Sequence, residues 1–90
     1  MAKLIQPDGS VSDHVPDEPP EWSLKELQFL VGGYIEMVRI RQGSDIEGGL
    51  AFCDEDGRAK GLPFNEMASG LLGYQYVGPI LVIEEGEIVP

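Results

Sequence analysis

Between Trp22 and Gly33 the chain states both ends of a helix, and the shortness of that helix sets the scale for the rest of the fold. Ser23 is placed to accept from the third helical N–H, and Glu26 to reach back to the Ser23 N–H, which together make a capping box. Trp22, just before the cap, and Leu27, at the fourth helical position, match a hydrophobic staple. Leu24, Leu27, Leu30 and Val31 repeat at helical spacing and give one apolar face. Gly32 and Gly33 stop the helix, because glycine enters the left-handed conformation of a C-cap without a Cβ penalty. The spacing predicts a two-turn helix over 24–31.

The segments around it are equally short. Residues 3–6 and the stretch from Val11 to Val15 predict two strands joined by a Pro7-Asp8-Gly9 turn, a hairpin. Pro16 to Glu21 holds three prolines and three acids and predicts an extended connector. Tyr34 to Arg41 alternates, with β-branched and aromatic residues on both faces early on, and predicts an inner strand. Gly43 to Gly49 reads as a loop and Leu50 to Cys53 as a strand, closed by an Asp54-Glu55-Asp56-Gly57 turn. Asn65 caps a second helix whose buried face would be Met67, Ala68, Leu71 and Leu72, with Gly73 as its stop. Val77 to Glu84 predicts the last strand, with Pro79 near its start. The order β-β-α-β-β-α-β, with helices set apart from a mostly antiparallel sheet, means α+β. Residues 1–22 form a hairpin arm and connector and residues 23–90 the α+β core, in one domain overall. Ninety residues support one such domain, with a thin stability margin that a partner or a homo-oligomer would widen.

Charge narrows the function classes. Sixteen acids against six bases give a net charge of −10. Such a chain repels nucleic acid and anionic membranes and is drawn to basic surfaces. Direct nucleic-acid binding and membrane association are therefore not expected, and a basic protein is the natural partner. The opening Met1 to Gln6 lacks the long apolar stretch and small-residue cleavage site of a signal peptide. Ile80-Leu81-Val82-Ile83 is far too short to span a bilayer. The single cysteine, Cys53, forms no internal disulfide and fits a reducing compartment, so a cytoplasmic location is expected.

Several segments together resemble a known family. They are Leu27-Gln28-Phe29-Leu30-Val31-Gly32-Gly33-Tyr34-Ile35-Glu36, then Asp54-Glu55-Asp56-Gly57, then Lys60-Gly61-Leu62-Pro63-Phe64-Asn65 with Ala68 and Leu72, and finally Gly78 before an apolar strand. The ordered set, from Leu24 to Ile83, looks like a small domain of unknown function found in bacteriophages, mobile elements and some bacteria. Its pattern is a helix ending in VGGYIE, an acid–glycine turn, and GLPxN opening a second helix. The resemblance implies a phage- or prophage-encoded accessory protein, in that case working in the host bacterial cytoplasm. It carries over no catalytic residue.

Candidate binding residues fall in two of those motifs. Gly33 and Tyr34, with Glu36 after them, are either a close-approach loop whose backbone N–H groups face an anion or a C-cap leading into a strand. Lys60, Gly61, Pro63 and Asn65 either meet an anionic ligand or a partner's carboxylate, or pin a loop to the core with Asn65 as a cap. Whether the two motifs converge decides between a shared site and separate packing roles. Asp54 to Gly57 reads as a solvated hairpin turn, lacking the full loop of a calcium site. Arg39 and Arg41 read as surface bases. His14 has no acid or nucleophile at motif spacing, and Cys53 reads as a small buried hydrophobe. With so few such groups, nucleophile–base pairs and zinc sites are poorly supplied. No catalytic residue, metal ligand or cofactor is assigned, and a non-enzymatic binding protein is expected.

Three functions remain open at this point. One is an accessory factor that docks on a host protein and modulates it. Another is a sponge for a nucleotide immune signal held by Gly33, Tyr34, Lys60 and Asn65. The third is an acidic DNA mimic that occupies a nucleic-acid-binding enzyme.

Overall fold

A computed structural model describes residues 1–38, 40 and 49–90. The elements are β1 (Ala2–Ile5), β2 (Val11–His14), α1 (Leu24–Val31), β3 (Ile35–Val38), β4 (Leu50–Asp54), α2 (Glu66–Leu72) and β5 (Ile80–Ile83). Every strand pairing is antiparallel, in the order β2-β1-β5-β4-β3. The α+β class and the element order are as the sequence predicts. The predicted loop at Gly43, and Arg39 and Arg41, lie outside the described residues.

Side chains alternate across a strand, so one strand serves two cores. In β5, Leu81 and Ile83 join Ala2, Leu4 and Phe52 beneath α1, whose Leu27 and Val31 are buried with Trp22. Ile80, one residue earlier, joins Ile5, Val38 and Ala51 beneath Ala68 and Leu72 of α2, with Val82 packed against them. The helices therefore cover opposite faces of the sheet. β1 lies between β2 and β5, so the N-terminal hairpin contributes to the core of the same sheet. Among the described residues, no helix is long and apolar enough to cross a membrane.

The helix ends follow the local chemistry. Ser23 Oγ accepts from the Glu26 N–H at 3.2 Å, and Glu26 Oε1 accepts from the Ser23 N–H at 3.0 Å. The other Glu26 oxygen accepts from the Asp17 N–H at 2.9 Å, tying the connector to the helix start. Gly32 is the left-handed C-cap with φ 94°, and its N–H donates to Gln28 O.

Three predicted details are corrected. Among the described residues β3 spans Ile35–Val38 and is an edge strand, not an inner one, because β4 is the one strand it pairs with there. The last strand begins at Ile80, since Gly78 at φ +74° breaks the extended backbone ahead of Pro79. On α2, Met67 is 47% exposed and Ser69 is buried in its stead. The Ser69 hydroxyl is needed inside, where it accepts from the Tyr76 N–H at 2.8 Å and donates to Tyr76 O at 3.3 Å.

Candidate binding cleft

The turn after β4 is organised by a buried carboxylate. Asp54 ends β4 with its side chain only 2% exposed, and Oδ2 lies 2.6 Å from Lys60 Nζ. Its Oδ1 accepts from the Asp56 N–H at 2.8 Å. Glu55 and Asp56 are exposed in this turn as the sequence suggests, but Asp54 and Gly57 are buried, and the turn is not a hairpin; it leads from β4 towards α2 around an internal ion pair. Burial works to raise the Asp54 carboxyl, but the Lys60 ammonium and the Asp56 amide outweigh it and hold the group below its ordinary value. A carboxylate lowered on folding adds stability above its unfolded value, and that stability is lost as pH falls through the folded value. Glu26 is lowered in the same way, by the Ser23 and Asp17 amides. Urea midpoints should therefore hold near neutrality and fall from about pH 4 downward. In Asp54→Asn the fall should be shallower.

This ion pair also decides the fate of the sequence-derived candidates. Lys60 Nζ reaches back to Gly32 O at 3.5 Å. A Cβ on Gly33 would stand 2.8 Å from Lys60 Nζ and 3.0 Å from Asp54 Oδ2, so a side chain there would press on the ion pair. Gly33, Tyr34 and Lys60 do converge, lining a shallow pocket of about 370 Å³ with Gln28 and Asp56. The other candidates lie elsewhere. Glu36 opens into a different cavity. Gly61 takes φ +71° in an exposed turn, and Pro63 O accepts from the Gly78 N–H at 2.8 Å. Asn65 is fully buried: Nδ2 donates to Ile5 O at 2.9 Å and to Gly78 O at 2.8 Å, and Oδ1 accepts from the Ala68 N–H at 3.1 Å. With all three side-chain groups inward, Asn65 is a structural residue and lines neither cavity. Of the residues that a shared site would need, Gly33, Tyr34 and Lys60 are brought together beside the Asp54–Lys60 pair, and Asn65 is placed in the core.

That cleft has a volume of about 820 Å³ and lies on the α2 side, between the β3–β4 edge and the chain leaving α2. Its chemistry comes from Glu36 and Glu55, Arg58, and the Tyr74-Gln75-Tyr76 segment. The Tyr74 and Tyr76 rings are 5.6 Å apart between centroids and tilted by 53°. The segment is held at Gln75 and Tyr76. Tyr76 O accepts from the Asn65 N–H at 2.9 Å, Ser69 grips the Tyr76 backbone, and Gln75 O accepts from Arg58 Nη2 at 3.0 Å. Such fixed walls lower the ordering cost of binding. Sequence reasoning missed Glu55, Arg58, Tyr74, Gln75 and Tyr76. The one signal was an aromatic pair two residues apart between the glycines at 73 and 78, with no helical or strand period.

Cys53 lies half-buried in the cleft wall. Burial and the negative charges of Glu36 and Asp54, against a smaller lowering effect of Arg58, push its thiol up to about 11. Alkylation by iodoacetamide should accordingly stay slow through about pH 9, whereas an unperturbed thiol titrates near about 8.5. Among the described residues no three metal-ligating side chains gather to hold an ion. Among the described lining residues the carboxylates outnumber the one guanidinium and stand beside two tyrosines, which suits a cation more than an anion.

No curated protein and no solved structure matches the chain. Residues 4–89 match the family described as a domain of unknown function, DUF3846, a span that takes in the N-terminal hairpin as well as both helices. The chain therefore belongs to the DUF3846 domain-of-unknown-function family.

Proposed function

We propose that this chain is a non-enzymatic binding protein that docks on a basic protein and modulates it, in the manner of a phage-type accessory factor in the host cytoplasm. The observation that carries this reading is a preformed, electronegative, aromatic cleft on a chain of net charge −10. Charge of that size steers a basic partner towards the surface, and a cleft with aromatic walls gives it somewhere to anchor. The nucleotide-sponge reading has less support. Lys60, its intended phosphate ligand, is already engaged by Asp54, and Asn65 faces inward. In the larger cleft a phosphate would meet Glu36 and Glu55 as well as Arg58.

The test is capture from host lysate on the immobilised chain at low salt, with native mass spectrometry of the eluted complex. The expected result is one basic protein in stoichiometric amount, released as salt rises and the Debye length shrinks from about 10 Å at 0.1 M to about 3 Å at 1 M. Recovery of a nucleotide on the chain with no protein would overturn the reading.

A further inference from the structure

Resting on that reading, we propose that the cleft is the subsite for a cationic side chain of the partner, an arginine or lysine seated against the Tyr74 ring and paired with Glu36 and Glu55. Tyr74 is 64% exposed at the cleft, so its ring is available to a ligand. The 53° tilt to Tyr76 makes the two rings a corner and not a stack. A cation over a ring face is attracted by the ring quadrupole, more so where water is partly excluded. Glu36 stands on β3 and Glu55 follows β4, and both line the same cavity. Arg58, the guanidinium already in the lining, is tied to Gln75 O. Asp54 is balanced by Lys60, so among the described lining residues two carboxylates face the incoming charge against one guanidinium. The balance favours a cation.

A volume of about 820 Å³ exceeds one side chain, so the occupant is a side chain with its flanking backbone, as in an extended basic segment. Among the described residues β3 is the terminal strand of the sheet beside this cavity, where such a segment can approach. The smaller pocket at Gly33 and Lys60 has no comparable feature: its cation is spent and its one aromatic is Tyr34.

The test is an amide-resolved NMR titration of the full chain with a short peptide alternating glycine and arginine, and with its glutamate counterpart. The arginine peptide should shift amides at Glu36, Cys53, Glu55 and Tyr74 to Tyr76, and the glutamate peptide should shift none of them. Tyr74→Ala should weaken the arginine peptide about five-fold, and Tyr74→Phe should restore it, since the ring face is what binds. The double variant Glu36→Gln, Glu55→Gln should weaken it by a similar factor, and more at low salt than at high. All these side chains are exposed, and unchanged circular dichroism and thermal midpoint would show each variant folded. Arginine-peptide shifts confined to other acidic surface, such as 84–87, would overturn the subsite but leave a basic partner standing. No shift with any basic peptide would overturn the subsite, and the partner reading would fall with it if the lysate capture is also empty. Glutamate-peptide binding in the cleft would reverse the sign of the assignment.

Discussion

Asn65→Asp is expected to destabilise the protein strongly, although aspartate caps a helix about as well as asparagine does. The cap alone needs only Oδ1, which accepts from the Ala68 N–H. What aspartate loses is the amide Nδ2, whose two hydrogens go to Ile5 O on β1 and Gly78 O before β5. A carboxylate there would set negative oxygen against two buried carbonyls. Leaving buried polar groups unsatisfied costs about 1–3 kcal/mol each. A loss of about 3–4 kcal/mol is therefore expected, out of the about 5–10 kcal/mol a domain of this size holds. At about 4–8 °C per kcal/mol, the thermal midpoint should fall by about 12–32 °C. Asn65→Ala should lose a similar amount, because it surrenders the cap as well. The aspartate variant has a further signature. A buried carboxyl without a partner has its pKa raised, so its native state binds more protons than its unfolded state. Its deficit relative to the parent should narrow as pH falls, opposite in sign to the acid sensitivity of Asp54. A deficit below about 0.5 kcal/mol at neutral pH would show that the long-range bonds carry no weight.

Gly78→Ala is the second large effect. Gly78 sits at φ +74°, where an L side chain costs about 1–2 kcal/mol. Its new Cβ would also stand 2.6 Å from Leu62 Cδ1, forcing that side chain to move. Overpacking of this kind costs a further about 1–3 kcal/mol. The sum of about 2–5 kcal/mol is again a large share of the total, and a denaturant midpoint measures it. Gly9, also at positive φ but with open space around the added Cβ, is the control: Gly9→Ala should show only the backbone part. Because Gly78 O accepts from Asn65, the double variant Gly78→Ala, Asn65→Ala should cost less than the two singles added together.

These residues show which parts of the structure were legible in the sequence. The capping box at Ser23 and Glu26 was, because its partners are three residues apart and its chemistry is local. Asn65 was legible as a cap for the same reason. Its bonds to Ile5 and Gly78 were not, since they depend on β1 lying beside β5, a pairing between the two ends of the chain. β3 reads as an inner strand because apolar residues occupy both faces; its place at the sheet edge is a matter of which strands pair, which composition does not encode. Ser69 replaces Met67 on the buried side of α2 because the turn at Tyr76 needs a hydroxyl, again a contact from beyond the helix. The candidate site was legible in part. Lys60 does meet the Gly32-Gly33 turn, but as the partner of Asp54, a residue the sequence presents as solvated. The cleft itself is built from segments of no regular period, so nothing in the pattern marked Tyr74 and Tyr76 as one surface.

Hydrogen–deuterium exchange on the captured complex, compared with the free chain, tests the central claim most directly. Binding through the cleft predicts protection concentrated in peptides covering Glu36, residues 53–58 and residues 73–77, with β2 at the far sheet edge unchanged. Protection confined to β2 or to the C-terminal segment, with the Tyr74-Gln75-Tyr76 segment exchanging as in the free chain, would contradict it.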